Sequence, residues 1–121
     1  MRIFDTNLII YSYQPEYFFL KTELIRPEIF VSAVTQLETL GFHKINDLEK
    51  GYFTDLFNGI NIIPIENDII LEAIVLRQKR KISVGDSIIA ASALLYKFTL
   101  YTHNVEDFSW IKGLKIIDPL K

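Results

Sequence analysis

The chain has 121 residues, of which 50% are hydrophobic and 23% charged, so it is long enough for one domain with a real core and leaves no room for a second. Cysteine is absent, which excludes a disulfide scaffold, a thiolate zinc site and a cysteine nucleophile. The net charge of −2 excludes a strongly basic nucleic-acid coat, so any binding of polyanions must come from a local patch or from metal ions. Apolar runs are too short for a signal peptide or a membrane span, and we expect a cytoplasmic single domain over residues 1–121.

Short apolar strands and helical segments alternate along the chain. Five unalternating apolar pieces are predicted as strands: Arg2–Phe4, Ile29–Val31, Gly59–Ile63, Thr99–Tyr101 and Lys115–Ile117. Helical periodicity lies between them, over Asn7 to about Tyr13, Tyr17–Ile25, Ala33 to about Glu49, Gly51–Phe57, Asn67–Lys79 and Asp86–Tyr96. Continuous apolar runs are typical of strands that are buried on both faces. The pattern therefore predicts an α/β fold, a three-layer sandwich whose central, mostly parallel sheet of four or five strands is flanked by helices.

Acidic residues stand near four junctions between strands and helices: Asp5, Glu38, Asp86 and Asp107. Parallel-sheet domains place their chemistry beyond the carboxyl ends of the strands, so these carboxylates converge if their helices begin at one edge of the sheet. Two carboxylates about 5 Å apart repel by roughly 3 kcal/mol at an effective dielectric near 20, and no lysine or arginine lies within the four motifs. Such a cluster holds either protons or a divalent cation, and oxygen-only ligands suit Mg²⁺ or Mn²⁺.

The same acids have a second interpretation as helix caps. Asp5 precedes a helix, and three pairs have the spacing of a capping box: Thr35 with Glu38, Ser83 with Asp86, and Asn104 with Asp107. Glu66 and Asp68 follow the third strand and fit the description of a junction acid equally well, and we interpret them as helix-start residues. Convergence of the other four depends on the order of the strands, which the pattern leaves open.

Five motifs follow one another along nearly the whole chain. They are Asp5-Thr6-Asn7, Ser32 followed by Glu38, Gly85-Asp86-Ser87, Thr102-His103-Asn104 through Phe108, and the closing stretch Gly113 to Pro119. This ordered set resembles the PIN-domain ribonucleases, and at this length the VapC-like toxins of toxin–antitoxin pairs. The resemblance implies a parallel sheet with the first strand in the middle. It also implies a Mg²⁺ or Mn²⁺ site built from Asp5, Glu38, Asp86 and Asp107, assisted by the auxiliary residues Thr6, Asn7, Thr102 and Asn104.

The function implied by the resemblance is metal-dependent hydrolysis of RNA phosphodiester bonds by the toxin of a toxin–antitoxin pair. RNA would be the substrate, a cognate antitoxin the partner, and a homodimer the assembly. The densest basic run supplies Arg77, Lys79, Arg80 and Lys81, four cations in five residues that suit phosphate contacts. The same run also suits a solvated helix end.

Several residues outside the acidic motifs also have two interpretations. His103 stands where relatives often carry arginine, and we interpret it as a satisfied surface histidine, whereas His43 is predicted in the middle of a helix. Phe108 and Trp110 are expected to pack beside the last strand. The segment Tyr11–Leu20 is rich in aromatic residues, which either form a protein interface or fill the core under a bent first helix.

Other functional classes fit the sequence less well. An aspartate-nucleophile phosphatase needs a second acid two residues after the first, where this chain has Asn7. A phospho-acceptor signalling domain needs an aspartate directly after the third strand, where Pro64 stands. The remaining alternative is a catalytically inactive PIN-like module that binds RNA or protein.

Overall fold

The computed structural model of the protein describes all residues, 1–121. Its strands are β1 (Arg2–Phe4), β2 (Ile29–Ser32), β3 (Asn61–Ile63), β4 (Thr99–Tyr101) and β5 (Ile116–Ile117). Its helices are α1 (Thr6–Tyr11), α2 (Phe19–Leu24), α3 (Ala33–Leu40), α4 (Asp47–Gly59), α5 (Asn67–Lys79), α6 (Val84–Tyr96) and α7 (Val105–Phe108), with a 3₁₀ turn at Pro15–Tyr17. All five predicted strands are present.

The five strands form one sheet in the order β3-β2-β1-β4-β5, and every neighbouring pair is parallel. Side chains alternate between the two faces of a strand, so that Ile3 and Phe4 of β1 point in opposite directions. Ile3 belongs to a buried cluster that includes α5 and α6, and Phe4 belongs to a second cluster that includes α1, α2 and α4. The sheet is therefore covered on both sides, and the predicted three-layer α/β sandwich is confirmed.

Helix α6 lies on the strands β1, β2 and β4. Its small residues Ala90, Ala91 and Ala93 are fully buried, which lets the helix backbone approach the sheet closely. The opening turn of α6 is thereby fixed beside the carboxyl ends of the two central strands. None of the helices combines the length with the apolar character that crossing a bilayer requires.

One predicted helix is wrong in its extent. The segment Ala33–Glu49 is not continuous, because α3 ends at Leu40, Gly41 caps it, and α4 begins at Asp47. Asn46 and Glu49 form a reciprocal capping box at this second start, which gives the new helix its own hydrogen bonds. His43 consequently lies in an exposed turn between two helices, and not in the middle of a helix.

Helix α5 is apolar on more than one side. Its buried residues are Ile69, Ala73 and Leu76, whereas the apolar residues Leu71 and Ile74 are 56% and 46% exposed. The aromatic segment is similarly divided. Tyr11, Tyr13 and Tyr17 pack against the core, and Phe18 and Phe19 remain exposed.

Candidate active site

The strand order brings three of the junction acids to one place. With β1 central, the carboxyl ends of β1, β2 and β4 are adjacent, and helices α3 and α6 begin beside them. Asp5, Glu38 and Asp86 line one open depression of about 220 Å³, together with Thr6, Asn7 and Ile10. Asp68 lies at the start of α5, after the edge strand β3, and is not part of this depression.

Asp5 is the most buried of the four acids, with 3% of its surface exposed. One oxygen, Oδ1, accepts a hydrogen bond of 3.0 Å from the backbone N–H of Leu8 and so caps α1, and Oδ2 accepts one from the hydroxyl of Thr102. Burial raises the pKa of Asp5 from 3.8 to about 6 against these hydrogen bonds, and the negative charges of Asp86 and Glu38 add to the rise. Hydrogen bonds thus hold the carboxylate of Asp5 in position, while burial and the nearby negative charges disfavour its ionised form.

Glu38 is positioned by two hydroxyl groups. The Thr6 hydroxyl donates to Oε1 of Glu38 at 2.6 Å, and it lies 3.0 Å from the hydroxyl of Thr35, which is fully buried. A hydroxyl has one proton to donate, so Thr35 donates to Thr6 and Thr6 donates to Glu38. The sequence suggested a capping role for Thr35, and the hydrogen bond of Thr35 to Thr6 was not predicted.

Gly85 forms the wall against which the Glu38 carboxylate rests. A Cβ atom at position 85 would collide with that carboxylate. The glycine is buried in the first turn of α6, where it weakens the helix relative to alanine, so a packing role explains its presence. The sequence carried a signal for this contact, because Gly85, a residue type that helices disfavour, stands directly before the junction acid Asp86.

Asp86 and Asp107 are near neighbours across a second depression. Burial raises the pKa of Asp86, the hydrogen bond from Ser83 opposes the shift, and the charges of Asp107 and Glu38 add to it. Both carboxylates line a depression of about 280 Å³ that also contains Arg80, Lys81 and Trp110. Asp107 itself is exposed, on the short helix α7.

The interpretation as helix caps holds for only some of the four junction acids. Asp5 caps α1, and the Ser83 side chain accepts from the backbone N–H of Asp86, but α3 is capped by Ser32 and the Glu38 carboxylate bonds Thr6 instead. Asn104 makes no side-chain cap bond at α7. None of the three predicted capping boxes is reciprocal, so the carboxylates of Glu38, Asp86 and Asp107 are not committed to helix ends.

The auxiliary residues divide into inner and outer positions. Thr102 is fully buried, and its hydroxyl both donates to Asp5 and accepts from the backbone N–H of Asn104 at 3.0 Å. Asn7 lines the depression of Asp5, whereas Asn104 lines a neighbouring one beside Asp107. His103 pairs with Asp118 at 3.0 Å, which matches its interpretation as a satisfied surface histidine.

The basic run is also divided by the structure. Arg80 and Lys81 line the depression that contains Asp86 and Asp107, whereas the Nε of Arg77 donates to the backbone carbonyl of Ile82 at 3.2 Å and so holds the loop before α6. Lys79 is exposed near the end of α5, and it lines none of the depressions described here.

The four acids form no ion pair with a lysine or an arginine, because the ion pairs of the chain involve Glu23, Glu28 and Asp118 only. The carboxylates of Asp5 and Asp86, which are desolvated and lie near other negative charges, suit a hard divalent cation. No three acidic or histidine side chains lie close enough together to form a metal-ligand cage by themselves. Mg²⁺ commonly uses one or two carboxylates together with waters and substrate phosphates, so the donor set fits such an ion without a cage.

Comparison with known proteins places this geometry in a family. The sequence profile of the PIN domain matches residues 2–113. The chain belongs to the PIN-domain family. Curated protein sequences give no significant match to this PIN domain.

Solved structures resemble this PIN domain over nearly its entire length. A toxin–antitoxin complex from Klebsiella pneumoniae is 30% identical, with a TM-score of 0.79 and coverage of 98% of this chain and 98% of that chain. VapBC-1 from nontypeable Haemophilus influenzae is 26% identical, with a TM-score of 0.77 and coverage of 99% and 98% of the two chains. DNA-bound VapBC from Salmonella typhimurium, at 19% identity, a TM-score of 0.81 and coverage of 97% and 96%, shares the fold.

Proposed function

We propose that this PIN domain is a Mg²⁺- or Mn²⁺-dependent endoribonuclease, which acts in the cytoplasm, where its RNA substrate is found. The observation that carries the proposal is the convergence of Asp5, Glu38 and Asp86 on one open depression without a cation to neutralise them. A protein gains nothing from such repulsion unless the site binds a positively charged ligand. Two free cations, Arg80 and Lys81, lie beside the acids and suit an anionic substrate.

The four carboxylates have different tasks in this proposal. Asp5 and Asp86 are the central metal ligands, because burial and mutual charge destabilise both when no cation is present. Glu38, which the Thr6 hydroxyl and Gly85 hold in place, and the exposed Asp107 complete the site directly or through waters. When bound, one or two divalent ions lower the pKa of a coordinated water and relieve the charge on the scissile phosphate.

The chain's own residues orient the reaction. Thr102 keeps one oxygen of Asp5 in a fixed direction, and the cap bond to Leu8 fixes the other. Arg80 and Lys81 attract the RNA backbone to an otherwise acidic region, where contacts with phosphates weaken steeply as salt rises. The nuclease would thus bind substrate through cations and cut it at the carboxylates.

We further propose that the protein is the toxin of a toxin–antitoxin pair and is silenced by a cognate antitoxin. The similarity to a chain of the Klebsiella pneumoniae toxin–antitoxin complex, which extends over 98% of both chains, supports this role. An apolar groove of about 220 Å³ lies directly beside Glu38 and offers a docking surface for a partner segment; it is lined by Ile10, Thr39, Phe42, Ile45, Glu49 and Phe53. A segment seated there would also contact Glu38, one of the four acids.

A homodimer is the proposed assembly. Leu71, Ile74 and Val75 form an exposed apolar stripe along α5, at positions i, i+3 and i+4 of the helix. Exposed apolar patches of this kind are typical of protein interfaces. A second copy of the chain, packed against the same helix, would cover the stripe in both protomers.

The nuclease proposal predicts that Asp86→Asn abolishes cleavage of a labelled RNA in Mn²⁺ while the circular dichroism spectrum is retained. Asp68→Asn is the matched control, since Asp68 also opens a helix after a strand but lies outside the depression. Cleavage by the unaltered protein should stop when EDTA is added. Undiminished cleavage by Asp86→Asn would contradict the assignment, and stable RNA binding without turnover by the unaltered protein would favour the inactive binding module.

A further inference from the structure

Trp110 is held rigidly next to one of the proposed metal ligands. Its indole N–H donates to the backbone carbonyl of Asp107 at 2.9 Å, and the ring packs partly against the buried cluster around Ile3 and Leu100. The ring is half-buried, so one part remains accessible from the depression it lines with Asp86 and Asp107. Trp110 was expected to pack beside the last strand, and it packs against the same buried cluster as Ile116 of that strand, but packing does not account for the exposed part.

Arg80 lies over this ring and has no other partner. Its guanidinium carbon is 5.5 Å from the centre of the Trp110 ring, a distance at which a cation interacts favourably with an aromatic face. Arg80 lines the same depression as Asp86, Glu106 and Asp107, yet it forms no ion pair with any of them. Its hydrogen-bond donors are therefore free, in contrast to Arg77, whose Nε is bonded to the Ile82 carbonyl.

The depression has a size and lining that suit one nucleotide. Its volume of about 280 Å³ lies just below the roughly 300–1,000 Å³ that is typical of small-molecule pockets. Single-stranded RNA is recognised by bases that stack on aromatic rings or on guanidinium planes, while cations contact the phosphates. Trp110, Arg80 and Lys81 provide these three elements in the lining of the depression, which also contains the carboxylates of Asp86 and Asp107.

We propose that Trp110 and Arg80 form a nucleotide-binding subsite, in which one base of single-stranded RNA stacks against the pair while Lys81 contacts the adjacent phosphate. The subsite rests on the proposed nuclease function and specifies where the nucleotide next to the cleaved bond is bound. Trp110 has a double role in it, because the ring supplies stacking surface and also keeps the Arg80 side chain away from the neighbouring carboxylates. Charge and stacking together would select unpaired RNA over a duplex, whose bases are not available to stack.

Trp110 is the only tryptophan of the chain, so tryptophan fluorescence, excited selectively over the six tyrosines, reports on this subsite alone. The experiment uses the full-length Asp5→Asn variant in Mg²⁺, because Asp5 lies outside the depression of Trp110 and its loss is expected to prevent cleavage. A short single-stranded RNA should change the tryptophan emission in a saturable manner. An abasic oligomer of the same length and charge should leave the emission unchanged.

Variants in the same background separate stacking from charge. Arg80→Gln and Trp110→Ala should each weaken RNA binding, measured by the anisotropy of labelled RNA, by about 10-fold, which is the usual effect of removing a stacking partner. Trp110→Phe should retain most of the affinity. Lys112→Gln is the control, because Lys112 is an exposed cation two residues from Trp110 that does not line the depression. Thermal unfolding of every variant identifies any loss of affinity that comes from misfolding.

The outcomes distinguish the subsite from the function on which it rests. RNA binding without a change in tryptophan emission, or an equal response to the abasic oligomer, would overturn the subsite and leave the nuclease proposal intact. Absence of Mn²⁺-dependent cleavage by the unaltered protein would overturn the nuclease proposal, even if the emission responds to RNA. Equal weakening by Lys112→Gln and Arg80→Gln would reduce the effect to net charge and also overturn the subsite.

Discussion

Asp5 is a buried carboxylate whose pKa, at about 6, lies above its ordinary value of 3.8. The folded protein therefore holds the Asp5 proton more tightly than the unfolded chain does. The stabilisation from this proton is fully present below pH 4 and is lost as the pH rises through 6, at a cost on the order of 2–3 kcal/mol. Burial is the largest cause of the shift. The loss of stability therefore arises because the charged Asp5 carboxylate is kept in a desolvated position without a metal ion.

We predict that Asp5→Asn, which resembles the protonated form, removes this pH dependence. In EDTA, the free energy of unfolding of the unaltered protein should fall relative to that of the variant between pH 4 and pH 7. Denaturant titrations at a series of pH values measure the difference. Mn²⁺ at pH 7 should restore stability to the unaltered protein only, because a ligand that binds the folded state stabilises it. Parallel pH profiles of the two proteins would contradict the prediction.

Substitution of Gly85 is expected to change stability and activity in opposite directions. Gly85→Ala places a methyl group where the Glu38 carboxylate rests, and this flexible carboxylate can move away. Alanine also favours the helix by about 1 kcal/mol. We therefore predict that Gly85→Ala leaves the melting temperature equal or higher, while RNA cleavage falls by 10-fold or more because Glu38 is displaced.

Gly51→Ala is the control for this change. Gly51 lies inside α4, and a Cβ atom there meets nothing within 4 Å, so alanine should stabilise the protein without any effect on cleavage. Thermal unfolding and a cleavage assay on both variants provide the test. Full activity of Gly85→Ala would show that the position of Glu38 is not critical.

At the scale of single elements, α6 ends on a strained residue. Lys97 caps the helix in the left-handed conformation, with φ of 59°, where its backbone N–H bonds the carbonyls of Ala93 and Leu94. Glycine adopts this conformation without a steric penalty. We predict that Lys97→Gly raises the free energy of unfolding by about 1 kcal/mol in denaturant titrations. Lys50→Gly, inside α4, should lower it by a similar amount, and destabilisation by both changes would refute the strain at Lys97.

The elements also show how far a sequence can be interpreted. The five strands were predictable because each is a short apolar run between polar junctions, and Asp5, Glu38 and Asp86 were predictable as a cluster once β1 was taken as central. The break between α3 and α4 was not foreseen, because apolar residues continue with helical spacing through Leu37, Leu40 and Ile45, although the capping signal at Asn46 was available.

Other features depend on tertiary contacts and leave little trace in the sequence. Thr35 directs its hydroxyl to Thr6 only because α3 and α1 lie side by side, and the cation–π contact of Arg80 requires the turn after α7 to approach the residue that follows α5. The buried face of α5 was equally hidden, because a helix that is apolar on several sides does not reveal which side faces the core.

At the scale of the whole molecule, the stripe on α5 tests the proposed assembly. Ile74→Glu introduces a charge at the centre of the stripe and should convert a dimer to a monomer in light-scattering measurements. Phe18→Glu is the control at another exposed apolar surface, where α2 begins, and should leave the mass unchanged. Loss of the dimer by Phe18→Glu alone would assign the interface to the aromatic segment.

The hydrogen bond between Thr102 and Asp5 joins residues that are 97 positions apart in the chain. Asp5, the first proposed ligand, therefore leaves the ribosome well before its partner Thr102 and before Asp107. Under the proposed nuclease function, a nascent polypeptide lacks the full set of proposed ligands until Asp107 has emerged, which would spare the messenger and the ribosome that are producing it.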